Sequence, residues 1–267
     1  MELHHYHDIN RRGTVERLSY AAKDENGLPV IKYANICLPY GYSAEQQYPV
    51  LYLIHGGGGN PDAWLDCSMI KNALDASFAE NRCKPFITVF PGFYSHDPVR
   101  NGRVDEEVER GHVLRFQQEL RNNLIPAVDK TFSTNPCRES RAIGGFSMGG
   151  VTTWYAFMGA LDLFYWFLQM SGDCWALGEK GGGEKPEETA KAIIDAVRRQ
   201  GSPDFRLHAV TGSKDIAYPN LDPQMQALKQ YPDVFDGKLR YDVLENGVHD
   251  YETIFRYLYN VLPGVFH

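Results

Sequence analysis

The chain has 267 residues, 43% hydrophobic and 23% charged, the balance of an ordinary globular protein and not of a disordered or fibrous one. A formal net charge of −7 leaves no whole-chain basic footprint for nucleic acid. No apolar run approaches the roughly 20 residues that span a bilayer, so neither nucleic acid nor a membrane is an expected partner.

The segment Met1–Asp8 has no basic head followed by an apolar stretch, so no signal peptide is visible. A cytoplasmic placement is the expectation, or a secreted one if the chain is a domain cut from a longer protein. His4, His5 and His7 read as a frayed polar end. The five cysteines, Cys37, Cys67, Cys83, Cys137 and Cys174, include no CxxC pair, which fits free thiols in a reducing compartment better than a disulfide framework.

Alternation over Thr14–Tyr20 and Ile31–Leu38, on either side of Asn26-Gly27-Leu28-Pro29, predicts an antiparallel hairpin. Val50–Ile54 is a continuous apolar run, as in a strand covered on both faces. Ile70, Leu74 and Phe78 then mark a helix, and Phe86–Phe90 another buried strand closed by Pro91-Gly92. Asp105–Glu109 is an acidic run read as the solvated start of a helix. Phe116, Leu120, Leu124 and Val128 mark one amphipathic helix. Strands follow at Arg141–Phe146, Phe164–Met170, Arg206–Val210 and Leu239–Leu244, with helices over Val151–Met158, Glu187–Arg199 and Tyr251–Tyr259. Gly178–Glu188, containing Gly181-Gly182-Gly183, reads as a mobile loop. Strands alternating with helices imply an α/β fold with a mostly parallel central sheet, helices on both faces and the hairpin at one edge. With no internal repeat or long linker, residues 1–267 are read as one domain.

Gly145-Phe146-Ser147-Met148-Gly149 follows a predicted strand and precedes a predicted helix, the setting of a G-x-S-x-G nucleophile elbow. A serine hydroxyl needs a base. Of the histidines that follow it, His208 lies inside a strand and His267 ends the chain, whereas His249 sits in the loop after the last strand, where such sheets place their sites. The base in turn needs a carboxylate. Asp215 follows the strand ending near Val210, Asp173 is a rival after the strand that follows the elbow, Asp242 lies within a strand, and Asp222, Asp233 and Asp236 lie in an irregular segment. The order Ser147, Asp215, His249 is that of the α/β-hydrolases. The oxyanion donors expected are the Met148 amide and an amide of His55-Gly56-Gly57-Gly58-Gly59, Gly57 first and Gly58 second, with His55 bracing the loop. No nucleotide site follows from these glycines, because no Gly-Lys-Ser/Thr succeeds them. No cofactor is implied, and no metal site is found.

With these motifs in view, the chain resembles carbohydrate esterase family 1, and most closely the feruloyl esterase domains of clostridial modular xylanases. The resemblance runs from Gly13-Thr14-Val15-Glu16 to the C-terminus and includes Tyr48–Gly56, Phe116–Leu120 with Ile125-Pro126, Gly144–Gly150, Ser171-Gly172-Asp173-Cys174-Trp175, Thr211–Tyr218 and Gly247–Asp250. It implies the α/β-hydrolase fold and hydrolysis of the ester joining a hydroxycinnamic acid to arabinose on xylan or its oligosaccharides. It also implies Asp215 as the acid and Trp175 as a wall for the aromatic acyl group. Trp64 and Tyr218 are further pocket candidates. Without a carbohydrate-binding module, dockerin or xylanase domain in view, small soluble feruloyl esters are favoured over polymer. An acetylxylan esterase, S-formylglutathione hydrolase, enterochelin-type esterase or acyltransferase would keep the same three residues and change the acyl group. A non-enzymatic binding module would lack one of them.

Overall fold

The computed structural model describes residues 9–96, 99–100, 103–104 and 106–266. Its first two strands, β1 (Thr14–Lys23) and β2 (Pro29–Leu38), form the expected hairpin. Asp24 Oδ1 closes the turn by accepting from the Asn26 and Leu28 amides at 2.9 and 2.8 Å, an Asx turn. There follow β3 (Val50–Ile54), α1 (Ala63–Cys67), α2 (Ile70–Ala79) and β4 (Ile87–Pro91), then the short antiparallel pair β5 (Val99–Arg100) and β6 (Arg103–Val104). The remaining elements are α3 (Glu106–Glu119), α4 (Ile125–Thr131), β7 (Arg141–Phe146), α5 (Met148–Gly159), β8 (Trp166–Met170), α6 (Gly181–Glu184), α7 (Pro186–Arg199), β9 (Arg206–Gly212), α8 (Tyr218–Leu228), α9 (Pro232–Phe235), β10 (Leu239–Leu244) and α10 (Tyr251–Val261).

Eight strands form one sheet in the order β1-β2-β4-β3-β7-β8-β9-β10. The pairs at the β1 edge are antiparallel, and from β4 onward every pair is parallel. Pleating divides the core. Val50, Tyr52 and Ile54 of β3 point into one cluster with Phe116, Trp154, Phe157, Ile193 and Met225 from α3, α5, α7 and α8. Leu51 and Leu53 point into the other, with Ile70 and Leu74 of α2 and Ile254 and Leu258 of α10. Helices thus cover both faces, which is why the central strands read as continuous apolar runs.

Three expectations need correction. The helix marked by Phe116, Leu120, Leu124 and Val128 is not uniform: all four are buried, but Leu120–Leu124 is a π-helical turn joining α3 to α4. The Ile125 amide donates to Leu120 O, five residues back, and Pro126 has no N–H to donate, so the helix widens by one residue. Gly181–Gly183 belong to helical α6, not to a loop. A Cβ on Gly182 would meet Gln224 Oε1 at 2.6 Å and Asp173 Cβ at 2.8 Å, so these glycines permit close packing rather than motion. Finally, Glu109 is not on a solvated face. It is buried and hydrogen-bonded by the Tyr94 hydroxyl. Asp105 and the side chains of Glu106, Glu107 and Val108 lie outside the described residues, as do the N-terminal histidines and His267.

Candidate active site

The parallel strands deliver their chemistry at one end, the carboxyl ends, where helix N-termini and loops leave a crevice. Ser147 stands between β7 and α5 with φ 57° and ψ −118°. A non-glycine residue in that region is strained by roughly 1–3 kcal/mol and persists only where the surroundings impose it. The surroundings are visible in the flanking glycines. A Cβ on Gly145 would fall 2.4 Å from Gly149 C, and one on Gly149 would fall 2.4 Å from Ile54 O. The turn closes only because neither position carries a side chain.

Ser147 Oγ lies 2.9 Å from His249 Nε2, and His249 Nδ1 lies 2.6 Å from Asp215 Oδ1. His249 comes from the loop after β10 and Asp215 from the loop after β9, so 34 and 102 residues of separation collapse to hydrogen-bond range. The Asp215 side chain is 0% exposed, while His249 retains 20% exposure. Asp215 Oδ1 also accepts from the Ala217 amide at 2.8 Å, which fixes the carboxylate plane. The His249 ring rests on Phe146, with centroids 4.6 Å apart. The rival Asp173 is engaged elsewhere. Its Oδ1 accepts from the Trp175 indole at 3.1 Å and its Oδ2 from the Gly182 amide at 3.0 Å. Burial raises its carboxyl above the usual range against those two hydrogen bonds.

The glycine loop separates the two amide candidates. Gly58 N–H donates to Tyr94 Oη at 2.8 Å, Gly56 N–H to Tyr251 Oη at 2.8 Å, and Gly59 N–H to Gly56 O at 3.2 Å. Among the described residues the Gly57 amide has no such partner. A Cβ on Gly57 would approach Met148 Cγ to 3.2 Å, so the loop and the first residue of α5 are neighbours, and the first amides of a helix have no acceptor within it. His55 braces the loop as expected: its Nδ1 is 2.7 Å from Gly56 O, and its ring stacks on Phe93 at 4.6 Å.

A cleft of about 390 Å³ opens at Ser147 and His249, lined also by Met148, Val151, Trp175 and Ile216. Trp175 is half-buried and reaches the cleft. Trp64 does not: it is 1% exposed, donates to Ile54 O at 3.0 Å and packs edge-on against Tyr251. The indole serves the core because α1 lays it against the sheet. Tyr218 is also absent from the lining, where Ile216 and Asn220 stand instead. Sequence reasoning missed Tyr94, Glu109 and Tyr251. Only Tyr251, two residues beyond His249, carried a local signal.

Buried histidines outside this chain of hydrogen bonds, His55 and His208 among them, make stability depend on pH. Burial lowers both His55 and His208 to about 4, whereas in the unfolded chain each takes up its proton near pH 6.5. The unfolded state therefore binds more protons between those values, and stability declines as pH falls from about 6.5 to about 4. Thermal melts of His208→Gln should lose less Tm between pH 7 and pH 5 than those of the wild type; an equal loss contradicts this account.

The strand order and the carboxyl-end site define an α/β-hydrolase fold, and the class is that of a carboxylic ester hydrolase. The Esterase family model matches residues 32–258, and the chain belongs to that family. It is 33% identical over 260 residues to endo-1,4-beta-xylanase Y of Acetivibrio thermocellus, covering 90% of this chain and 22% of that protein. It is 31% identical over 171 residues to an endo-1,4-beta-xylanase/feruloyl esterase of Xylanibacter ruminicola, covering 62% of this chain and 22% of that protein. The chain thus spans 22% of the length of each of these relatives. Among solved structures it matches a serine-to-alanine mutant of the feruloyl esterase module from Clostridium thermocellum complexed with sinapinate. That match has TM-score 0.81 and 31% identity, and covers 98% of this chain and 90% of that one. The xylanase relatives give the expected cytoplasmic placement no support. Among the described residues no helix is long and apolar enough to cross a membrane.

Proposed function

We propose that this chain is a serine esterase that releases ferulic acid or a related hydroxycinnamic acid from its ester with arabinose, on xylan or its oligosaccharides. The observation that carries the mechanism is the unbroken hydrogen-bonded series Ser147, His249, Asp215 opening onto one cleft. Ser147 Oγ attacks the ester carbonyl as His249 Nε2 takes its proton. Asp215 holds the imidazole with its Nδ1 proton inward and stabilises the imidazolium. The Met148 and Gly57 amides receive the oxyanion, each donor contributing about 3–4 kcal/mol to the transition state. His249 then returns the proton to the departing sugar hydroxyl. Water, activated by the same base, attacks the acyl-enzyme carbonyl, and the acid leaves with Ser147 Oγ restored.

The substrate class is supported by the sinapinate complex of the similar module and by the cleft itself. Its volume falls in the usual range of about 300–1,000 Å³ for small-ligand sites, and Trp175, Val151, Met148 and Ile216 give it apolar surface beside the nucleophile. Measuring kcat/KM for methyl ferulate and 4-nitrophenyl acetate side by side tests the reading. The wild type should favour the ferulate. Trp175→Ala should lower kcat/KM for methyl ferulate about tenfold, as loss of one aromatic contact and its buried area predicts, and leave acetate turnover nearly unchanged. Fast acetate cleavage with no ferulate cleavage would move the enzyme to a small-acyl esterase.

A further inference from the structure

Outside the Ser147 cleft, three segments distant in the chain bring Glu25, His96 and His112 together. Glu25 stands in the turn between β1 and β2, His96 in the loop after β4, and His112 on α3. One ligand atom from each lies within 4.8 Å of the other two. Glu25 Oε2 is 3.3 Å from His96 Nδ1. Ser95 Oγ is 2.9 Å from Glu25 Oε2, 3.4 Å from His96 Nδ1 and 3.3 Å from His112 Nδ1. A tetrahedral zinc with bonds of about 2.0–2.1 Å holds its ligand atoms about 3.3–3.4 Å apart. Three of the six separations among these atoms are therefore close to tetrahedron edges already.

The tautomer agrees. Ser95 N–H donates to His112 Nδ1 at 3.3 Å, so that nitrogen carries no proton, as a metal ligand must, and a metal would take its lone pair in place of that long hydrogen bond. His112 is only 2% exposed and gives the group a fixed anchor, while Glu25 and His96 reach it from partly exposed positions. Two imidazoles and one carboxylate form a donor set suited to zinc and its first-row neighbours, not to calcium or magnesium, which take oxygen.

We propose that Glu25, His96 and His112 form a binding site for a divalent transition metal, zinc foremost, with Ser95 Oγ or a water in the fourth position. The site shares no residue with the cleft at Ser147, so its role is a clasp rather than chemistry. It ties the hairpin turn to α3 and to the loop that carries Tyr94. Tyr94 in turn holds the Gly58 amide and Glu109, so a metal here steadies the glycine loop from behind. Sequence reading found no metal motif because the ligands come from three separate elements with no fixed spacing.

The test is zinc titration of the 267-residue chain after EDTA treatment, followed by thermal melting and by elemental analysis of dialysed protein. The expected result is one zinc per chain at this site and a Tm rise of about 5–10 °C at about 100 times Kd. Glu25→Gln and His96→Ala should each abolish that rise while melting near the metal-free wild type, since both side chains are partly exposed. A His4→Ala/His5→Ala/His7→Ala variant should keep it, which separates this site from the N-terminal histidines. Absence of zinc uptake overturns the proposal. So does uptake that survives Glu25→Gln and His96→Ala, or that disappears with the N-terminal histidines.

Discussion

Replacing Ser147 with alanine should lower kcat/KM for methyl ferulate by about 10⁴- to 10⁶-fold while the protein stays folded. The size follows from the role: without Oγ no acyl-enzyme forms, and what remains is binding plus the oxyanion donors. The melting temperature should change little. Alanine keeps the Cβ and so keeps the backbone strain at φ 57°, and it removes only the 2.9 Å hydrogen bond to His249. Ser147→Gly offers a sharper comparison. It is equally dead, but glycine tolerates positive φ, so it should melt higher than the alanine variant, with a stability gain on the order of 1 kcal/mol. Turnover in Ser147→Ala above about one per cent of wild type would remove Ser147 as nucleophile.

The second large effect is expected at Asp215. Asp215→Asn keeps size and shape, yet kcat should fall about 10⁴-fold. In the wild type, Asp215 Oδ1 accepts both the His249 Nδ1 proton and the Ala217 amide proton, and the side chain is shut off from solvent. Its charge therefore acts on the imidazolium with little screening. Asparagine offers at best a neutral acceptor. If its amide turns over, the NH₂ faces Nδ1, the ring proton moves to Nε2, and His249 no longer accepts from Ser147. KM should change far less than kcat, because Asp215 does not line the cleft. Asp173→Asn is the control: its effect should appear in ferulate binding through Trp175, and a kcat loss as large as that of Asp215→Asn would make Asp173 the acid instead.

Much of the site was legible in the chain because its pieces are local. Gly145–Gly149 specifies a strained turn through the positions where a Cβ does not fit, and a buried strand before it with a helix after it places that turn at a sheet end. His249 and Asp215 were readable for a related reason, since each follows a strand and a parallel sheet delivers all such loops to the same end. The hairpin, the mostly parallel sheet and the helices on both faces were likewise written in the period of apolar residues. The aromatic residues were less legible. Trp64, Trp175 and Tyr218 share one chemistry in sequence, and only packing sends Trp64 into the core, Trp175 into the cleft and Tyr218 away from it.

What the sequence by itself determined, then, was most of the element order and which strand-end loops carry Ser147, Asp215 and His249. The tertiary structure alone decided whatever requires two distant segments to meet. It occupied the Gly58 amide, to which Tyr94 reaches across, and left the Gly57 amide without such a partner among the described residues. It buried Glu109, read as a solvated charge, and it gathered Glu25, His96 and His112 at one point. The physical reason is the range of each signal. Backbone preference and hydrophobic period act over a few residues and leave a pattern along the chain, whereas hydrogen-bond satisfaction and side-chain packing are settled between segments that the sheet order, not the sequence spacing, makes neighbours.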